Sequence, residues 1–280
     1  MKKLLFVSAF LFNALLSSSV QALDASDFTE AEYAFNVKEP DSLNMAPVSL
    51  TGEREKLFDF INFEAVPYER WVTYLDTPDR DLNNNALIIR VREEPSRPWR
   101  SRITVKLRAP TPEGVGDVSK YRKAEIDIVN GTNSYSISWD IRYNPNNLDM
   151  RKVDIPYVLD RIKNRSPAAW SAIETLMDNY AGQLQQTTVM RALRWRGQVT
   201  NVPGIVEGEY QIWSPFYRSP KVFFSSIAFK GDSSDRNLEV VAKRIDDAMI
   251  KNGVAVPPEE ARSKTAGTFA ISPGFNETVN

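Results

Sequence analysis

The chain has 280 residues and neither a cysteine nor a histidine. Without cysteine it has no disulfide, no thiolate chemistry and no site for lipid attachment through cysteine. Without histidine it has no imidazole base or ligand, which excludes His-dependent triads and His-ligated zinc. A metal site must be built from oxygen ligands, and these suit Mg²⁺, Mn²⁺ or Ca²⁺. An excess of one charge sign is also missing, since 35 Lys and Arg face 36 Asp and Glu. Bulk charge therefore gives no support to a nucleic-acid or membrane-surface role. Beyond the N-terminus no apolar run is long enough for a membrane span, and no internal repeat is present.

The N-terminus carries the one apolar run. Met1 to Ala22 reads as a secretory signal peptide: Lys2 and Lys3 precede a mostly apolar stretch from Leu4 to Leu16. Val20-Gln21-Ala22 then puts small residues at the cleavage positions. The expected location is periplasmic or secreted. Removing residues 1–22 takes away two lysines and no acids, leaving 33 basic against 36 acidic residues, a net charge of −3. The remainder has the composition of a soluble globular protein. The expected organisation is a signal peptide over 1–22, one folded domain over 23–252 and a disordered tail over 253–280. That tail is rich in Pro, Gly, Ser and Thr and has no period.

The most regular stretch runs from Tyr74 to Asp127. Successive side chains of a strand point to opposite faces. In ALIIRVRE, Ile88, Arg90 and Arg92 share one face. In RSRITVKLR, Arg102, Thr104, Lys106 and Arg108 do so, and in YRKAEIDI so do Lys123, Glu125 and Asp127. Each strand thus has an apolar face and a charged face. Two architectures satisfy this pattern: an antiparallel sheet with one wet face, or a closed barrel whose charged faces line a tunnel. Glu30 to Lys38 reads as a first strand, with Glu30, Glu32 and Ala34 on one face. Thr51 to Phe63 reads as a helix capped by Thr51. Pro156 to Gln185 reads as two helical pieces broken near Ser166-Pro167. Val189 to Val199 reads as a strand with Arg194 and Arg196 on one face. Glu209 to Trp213 and Lys221 to Lys230 form a hairpin, and Arg236 to Lys251 a final helix.

The residues themselves favour the tunnel. YLDTPDRDL, then ALIIRVRE, then W-x-S-R-I-T-V-K-L resembles the core signature of the CYTH family, the triphosphate tunnel metalloenzymes. Tyr74, Asp76, Thr77, Pro78 and Leu82 match its first part, Arg90 and Arg92 its second, and Trp99, Thr104 and Lys106 its third. Lys123, Glu125 and Asp127 fit the fourth, with Lys for Arg and Asp for the second Glu. Order and spacing both fit, over roughly Thr29 to Gly253. The resemblance implies an α+β fold: an antiparallel β-barrel of about eight strands, closed into a tunnel, with helices packed outside.

It also implies a chemistry. A phosphate-rich anion, triphosphate or polyphosphate, would be the ligand, held by Arg90, Arg92, Lys106, Arg108, Arg194 and Arg196. Arg offers a planar fork that fits phosphate oxygens. Glu30, Glu32, Glu125 and Asp127 would hold Mg²⁺ or Mn²⁺, with Glu30 and Glu32 as the catalytic acids. The chain departs from the family pattern at Ala34, where a lysine would stand, and at Ser226 and Ala228, where a late strand would carry an acidic pair. Glu207 and Glu209 have the E-x-E spacing but read as a solvated strand start. The functional alternatives are a metal-dependent phosphohydrolase, a non-catalytic binding module and a structural protein that kept only the fold. Adenylate cyclase activity, known in the family, fits export poorly, since ATP is scarce outside the cytoplasm.

Overall fold

The computed structural model describes residues 23–38, 57–115, 121, 123–202, 206–216, 224–257 and 259–276. The segment read as a signal peptide, and residues 51–56 of the expected first helix, lie outside them. One sheet contains β1 (Glu30–Val37), β2 (Ile61–Phe63), β3 (Tyr68–Asp76), β4 (Leu87–Glu93), β5 (Arg102–Ala109) and β6 (Lys123–Val129). It continues with β7 (Thr132–Arg142), β8 (Gln185–Gln186), β9 (Met190–Val199), β10 (Glu207–Pro215) and β11 (Phe224–Asp232).

Nine of these strands close a ring in the order β9-β10-β11-β1-β6-β7-β5-β4-β3, and β3 returns to β9 with Tyr68 opposite Arg194. The barrel is closed, as the resemblance implies. Its pairs are antiparallel except β1 with β6, which run parallel with Glu30 beside Glu125 and Glu32 beside Asp127. A parallel pair needs a long connection, and four strands separate β1 from β6 in the chain. Closure removes the edges that an open sheet would expose.

Short-range chemistry sets the corners. The D-T-P turn is a capped corner: Asp76 Oδ1 accepts from the Thr77 and Leu82 amides at 2.8 and 2.9 Å, and Oδ2 from Asn83 at 3.0 Å. These bonds satisfy the first turn of α1 (Asp81–Asn84), whose amides have no partner within the helix. Asp154 caps α2 (Ile155–Arg165) by accepting from the Tyr157 amide at 3.1 Å. Pro167 has no amide to donate, so α2 ends and α3 (Pro167–Tyr180) begins there. The helical stretch breaks where the sequence predicts.

The apolar strand faces point outward under helices. Ile89, Val105, Ile137 and Trp139 pack with Val158 and Ile162 of α2 and Ile173 and Met177 of α3. Around the ring, Leu193, Trp195, Tyr210 and Phe229 pack with Leu238, Val241, Ile245 and Met249 of α4 (Asn237–Lys251). Burying each such side chain stabilises by about 1.5–3 kcal/mol.

Two expectations are corrected. Ile61 to Phe63, expected as helix, forms β2 and pairs with β9 at Gly197 to Val199. The tail expected to be disordered carries α5 (Lys264–Ala270), capped by Ser263, which accepts from the Ala266 amide at 3.1 Å. Phe269 is 3% exposed and packs with Tyr74, Met190 and Trp213, while Ile271 and Phe275 support it. A Pro, Gly, Ser and Thr count averages away these three anchors.

A candidate anion-binding tunnel

The inward strand faces enclose a cavity of about 900 Å³, within the roughly 300–1,000 Å³ of small-molecule sites. Arg90, Arg92, Lys106, Arg108, Arg194 and Arg196 all line it. Among the described residues neither Arg90 nor Arg92 makes an ion pair, and the Nε of each is buried without a hydrogen-bond partner. Burial first, then the neighbouring Arg70 and Arg90, pulls the Arg92 guanidinium well below its ordinary value, against the opposing pull of Asp140. Arg194 is depressed for the same first reason, with Arg70 and Arg196 adding to it.

Glu94 gathers part of this cationic wall. It lies 2.5 Å from Arg70, 2.9 Å from Arg97 and 3.9 Å from Arg194. Burial pushes its carboxyl up, but Arg70, Arg97 and Arg194 outweigh that and hold it below the usual range. Asp140 accepts from Arg102 at 2.9 Å and from the Thr104 hydroxyl at 2.7 Å.

The acids expected to hold metal separate into two groups. Glu32, Glu125 and Asp127 bring carboxylate oxygens within 4.8 Å of one another. Glu30 sits apart toward the mouth, half-exposed, 3.0 Å from Lys123. Asp127 accepts from Lys106 at 2.7 Å, Arg108 at 3.1 Å and Ser136 at 2.9 Å. Burial opposes ionisation of Asp127, but Lys106 and Arg108 hold its pKa well below the ordinary range. Glu125 is pushed up by burial and by the charge of Glu32, although Lys106 lies 3.6 Å away and Lys123 pairs with it. Hard oxygen donors suit Mg²⁺ or Mn²⁺ in kind, and the three carboxylates are one more than the one or two that Mg²⁺ usually takes before water and phosphate oxygens complete its shell.

The departures seen in the sequence fall on the tunnel wall. Ala34, Ser226 and Ala228 all line the cavity, with Ala34 opposite Ala228 in the β1–β11 register. The Ser226 hydroxyl is buried with no hydrogen-bond partner among the described residues. Trp99 is 64% exposed and does not line the cavity.

Sequence reasoning missed five contributors. Arg70 and Glu94 extend the inward faces of β3 and β4, and Asp140 continues that of β7, so period two extended further would reach them. Glu209 does not make a solvated strand start: it pairs with Arg194 inside the tunnel and takes a hydrogen bond from Gln211. Lys264, from α5, also lines the cavity. Burial pulls its ammonium down to about 8, against the charge of Glu32. Nothing in the local sequence announces it.

No family model matches the chain, and no curated protein matches it. Solved structures do. A candidate adenylyl cyclase from Hippeastrum, described as revealing a dominant triphosphatase activity, aligns with a TM-score of 0.51 at 9% identity, over 89% of this chain and 100% of that one. A candidate adenylate cyclase from Bacillus halodurans aligns with a TM-score of 0.40 at 16% identity, over 71% and 80%. At the first of these scores the likeness is one of fold, and the closed barrel with helices outside is the fold that this chain shares with the Hippeastrum protein.

Proposed function

We propose that the tunnel binds a linear phosphate-rich anion, triphosphate or a short polyphosphate. The observation that carries this reading is the unpaired state of Arg90 and Arg92 among the described residues. Thirteen basic and nine acidic side chains line the cavity, a surplus of four positive charges in a chain whose net charge is −1. A buried cationic surplus is costly unless an anion compensates it. Guanidinium forks supply paired donors for phosphate oxygens.

Glu32, Glu125 and Asp127 would hold a divalent cation, Mg²⁺ or Mn²⁺, and that ion would neutralise charge on the phosphoryl oxygens. Lys106 and Lys123 balance the same carboxylates. Hydrolysis calls for more than this. Ser226 and Ala228 offer β11 no carboxylate, which favours a protein that binds tightly and turns over slowly. The same observation supports a second reading, an anion-binding module without catalysis. With export expected from the N-terminus, either role belongs to the periplasm or the cell exterior.

The test is calorimetry with inorganic triphosphate, with and without Mg²⁺, together with a phosphate-release assay on the same preparation. Micromolar or tighter binding that weakens with salt is expected, with slow release. Absence of binding would remove the phosphate reading.

A further inference from the structure

The barrel changes character along its axis. Toward one end the inward positions turn apolar: Val72 and Tyr74 of β3 and Trp213 of β10 continue the faces that carry Arg70 and Gln211. Met190 and Ala192 of β9 do the same beyond Arg194. Phe269 of α5 enters among them, so this end is filled by side chains. The opposite mouth is charged. Among the described residues the cavity is therefore closed at the end where α5 docks.

Lys264 is the first residue of α5 and projects from this plug into the cavity. Its position is fixed from several sides. Ser263 caps the helix, Thr265 and Thr268 are buried, and the Arg262 amide donates to Asn36 Oδ1 on β1 at 3.1 Å. Lys264 makes no ion pair among the described residues, and Ala34 brings no charge to the cavity wall.

We propose that the tunnel is a blind socket that receives the end of a polyphosphate chain, with Lys264 as the innermost contact of the terminal phosphate. This rests on reading the tunnel as a phosphate site. A terminal phosphate carries more negative charge than an internal one, so an unpaired ammonium at the closed end distinguishes the two by Coulomb attraction. A chain interior cannot reach that ammonium, because Phe269, Tyr74 and Trp213 block passage through the barrel.

The experiment compares triphosphate, long-chain polyphosphate and long-chain polyphosphate esterified at both ends, with binding and stoichiometry measured by calorimetry and sedimentation. The free long chain should saturate with one protein per chain end whatever its length, and the esterified chain should bind at least about tenfold more weakly. Loading in proportion to chain length, or equal binding of the esterified chain, would overturn the socket. Lys264→Met should weaken triphosphate binding about tenfold with unchanged thermal stability, and Lys264→Arg should restore it. Unchanged affinity in Lys264→Met would remove Lys264 from the site. If triphosphate itself fails to bind the wild type, the phosphate reading falls, and that result is separate from the stoichiometry.

Discussion

Lys106 Nζ lies 2.7 Å from Asp127 Oδ2, joining β5 to β6 across the width of β7. Arg108 and Ser136 converge on the same carboxylate, so one acid holds together three strands of the tunnel wall. Asp127→Asn should therefore cost more than a surface ion pair would. With side chains only 13% and 10% exposed, breaking the pair should destabilise by about 3 kcal/mol. Urea unfolding reads this as a lower midpoint at unchanged slope. An unchanged midpoint would show that Lys106 and Arg108 find other partners.

The acid limb of the stability curve should carry the same signature. Asp127 is held well below its ordinary value, and Asp140 lies at about 2, where burial is outweighed by Arg92 and the Thr104 hydroxyl. Both acids remain ionised in the folded protein at pH values where the unfolded chain takes up protons. Their contribution is complete above the unfolded value near 3.9 and is lost as pH falls toward 2 and below. Glu125, pushed up, acts in the opposite sense at higher pH. Thermal unfolding should therefore show a steep loss below about pH 4, and Asp140→Asn should make that limb shallower. An identical limb in the variant would remove Asp140 from the account.

Arg92→Ala should weaken triphosphate binding by about 1.5–3 kcal/mol, the scale of a hydrogen bond to a charged group. The affinity loss should shrink at high salt. Arg151, 70% exposed on the outer surface, serves as the control, and Arg151→Ala should leave affinity unchanged. Equal affinities for all three proteins would place the ligand outside the tunnel.

Alternation in the sequence was enough to orient β4, β5 and β6. Arg90, Arg92, Lys106, Glu125 and Asp127 face inward as period two requires, because each strand has one apolar face to bury. What alternation cannot supply is the partner across the ring. The E-x-E spacing of Glu207 and Glu209 does not say which way they face, and the register that sets Glu209 opposite Arg196 reveals its ion pairs. Ile61 to Phe63 carries too few residues to show a period, and it becomes a strand because β9 runs past its pairing with β3, which ends at Arg194, and leaves Gly197 to Val199 to be paired. Lys264 follows no repeat, since a seven-residue helix places it by tertiary contacts of Phe269.

The β2–β9 edge gives a local test. A Cβ added at Gly197 would lie 2.7 Å from the Asn62 carbonyl oxygen and 2.8 Å from Ile61 Cγ2. The first of these is backbone and cannot swing away. Gly197→Ala should destabilise by about 1–3 kcal/mol through overpacking. Gly182→Ala, where nothing lies within 4 Å, should be neutral or better. Equal stability of the two variants would mean that β2 is held only loosely on β9.

The missing carboxylates lead to a gain-of-function test. Ser226 and Ala228 face the cavity from β11, and Ala34 faces it from β1 next to Ala228. Glu32, Glu125 and Asp127 gather on β1 and β6, and the cavity-facing positions 226 and 228 of β11 carry no carboxylate. A metal held by the three acids would neutralise phosphate charge, and in two-metal sites a further ion stabilises the attacking oxygen as well. Without a second ion the chemical step should be slowed more than binding is weakened, since the arginines remain. The triple variant Ala34→Lys, Ser226→Glu, Ala228→Glu should raise Mg²⁺-dependent triphosphate hydrolysis at least about tenfold over wild type, with affinity changed much less. The added lysine offsets part of the charge that the two new acids bring into the wall. Chelation with EDTA should abolish the gain, and Glu32→Gln should do so in the same background. Rapid hydrolysis by the wild type, lost in Glu32→Gln, would instead show that the acids already present, with Glu209 among them, suffice for catalysis.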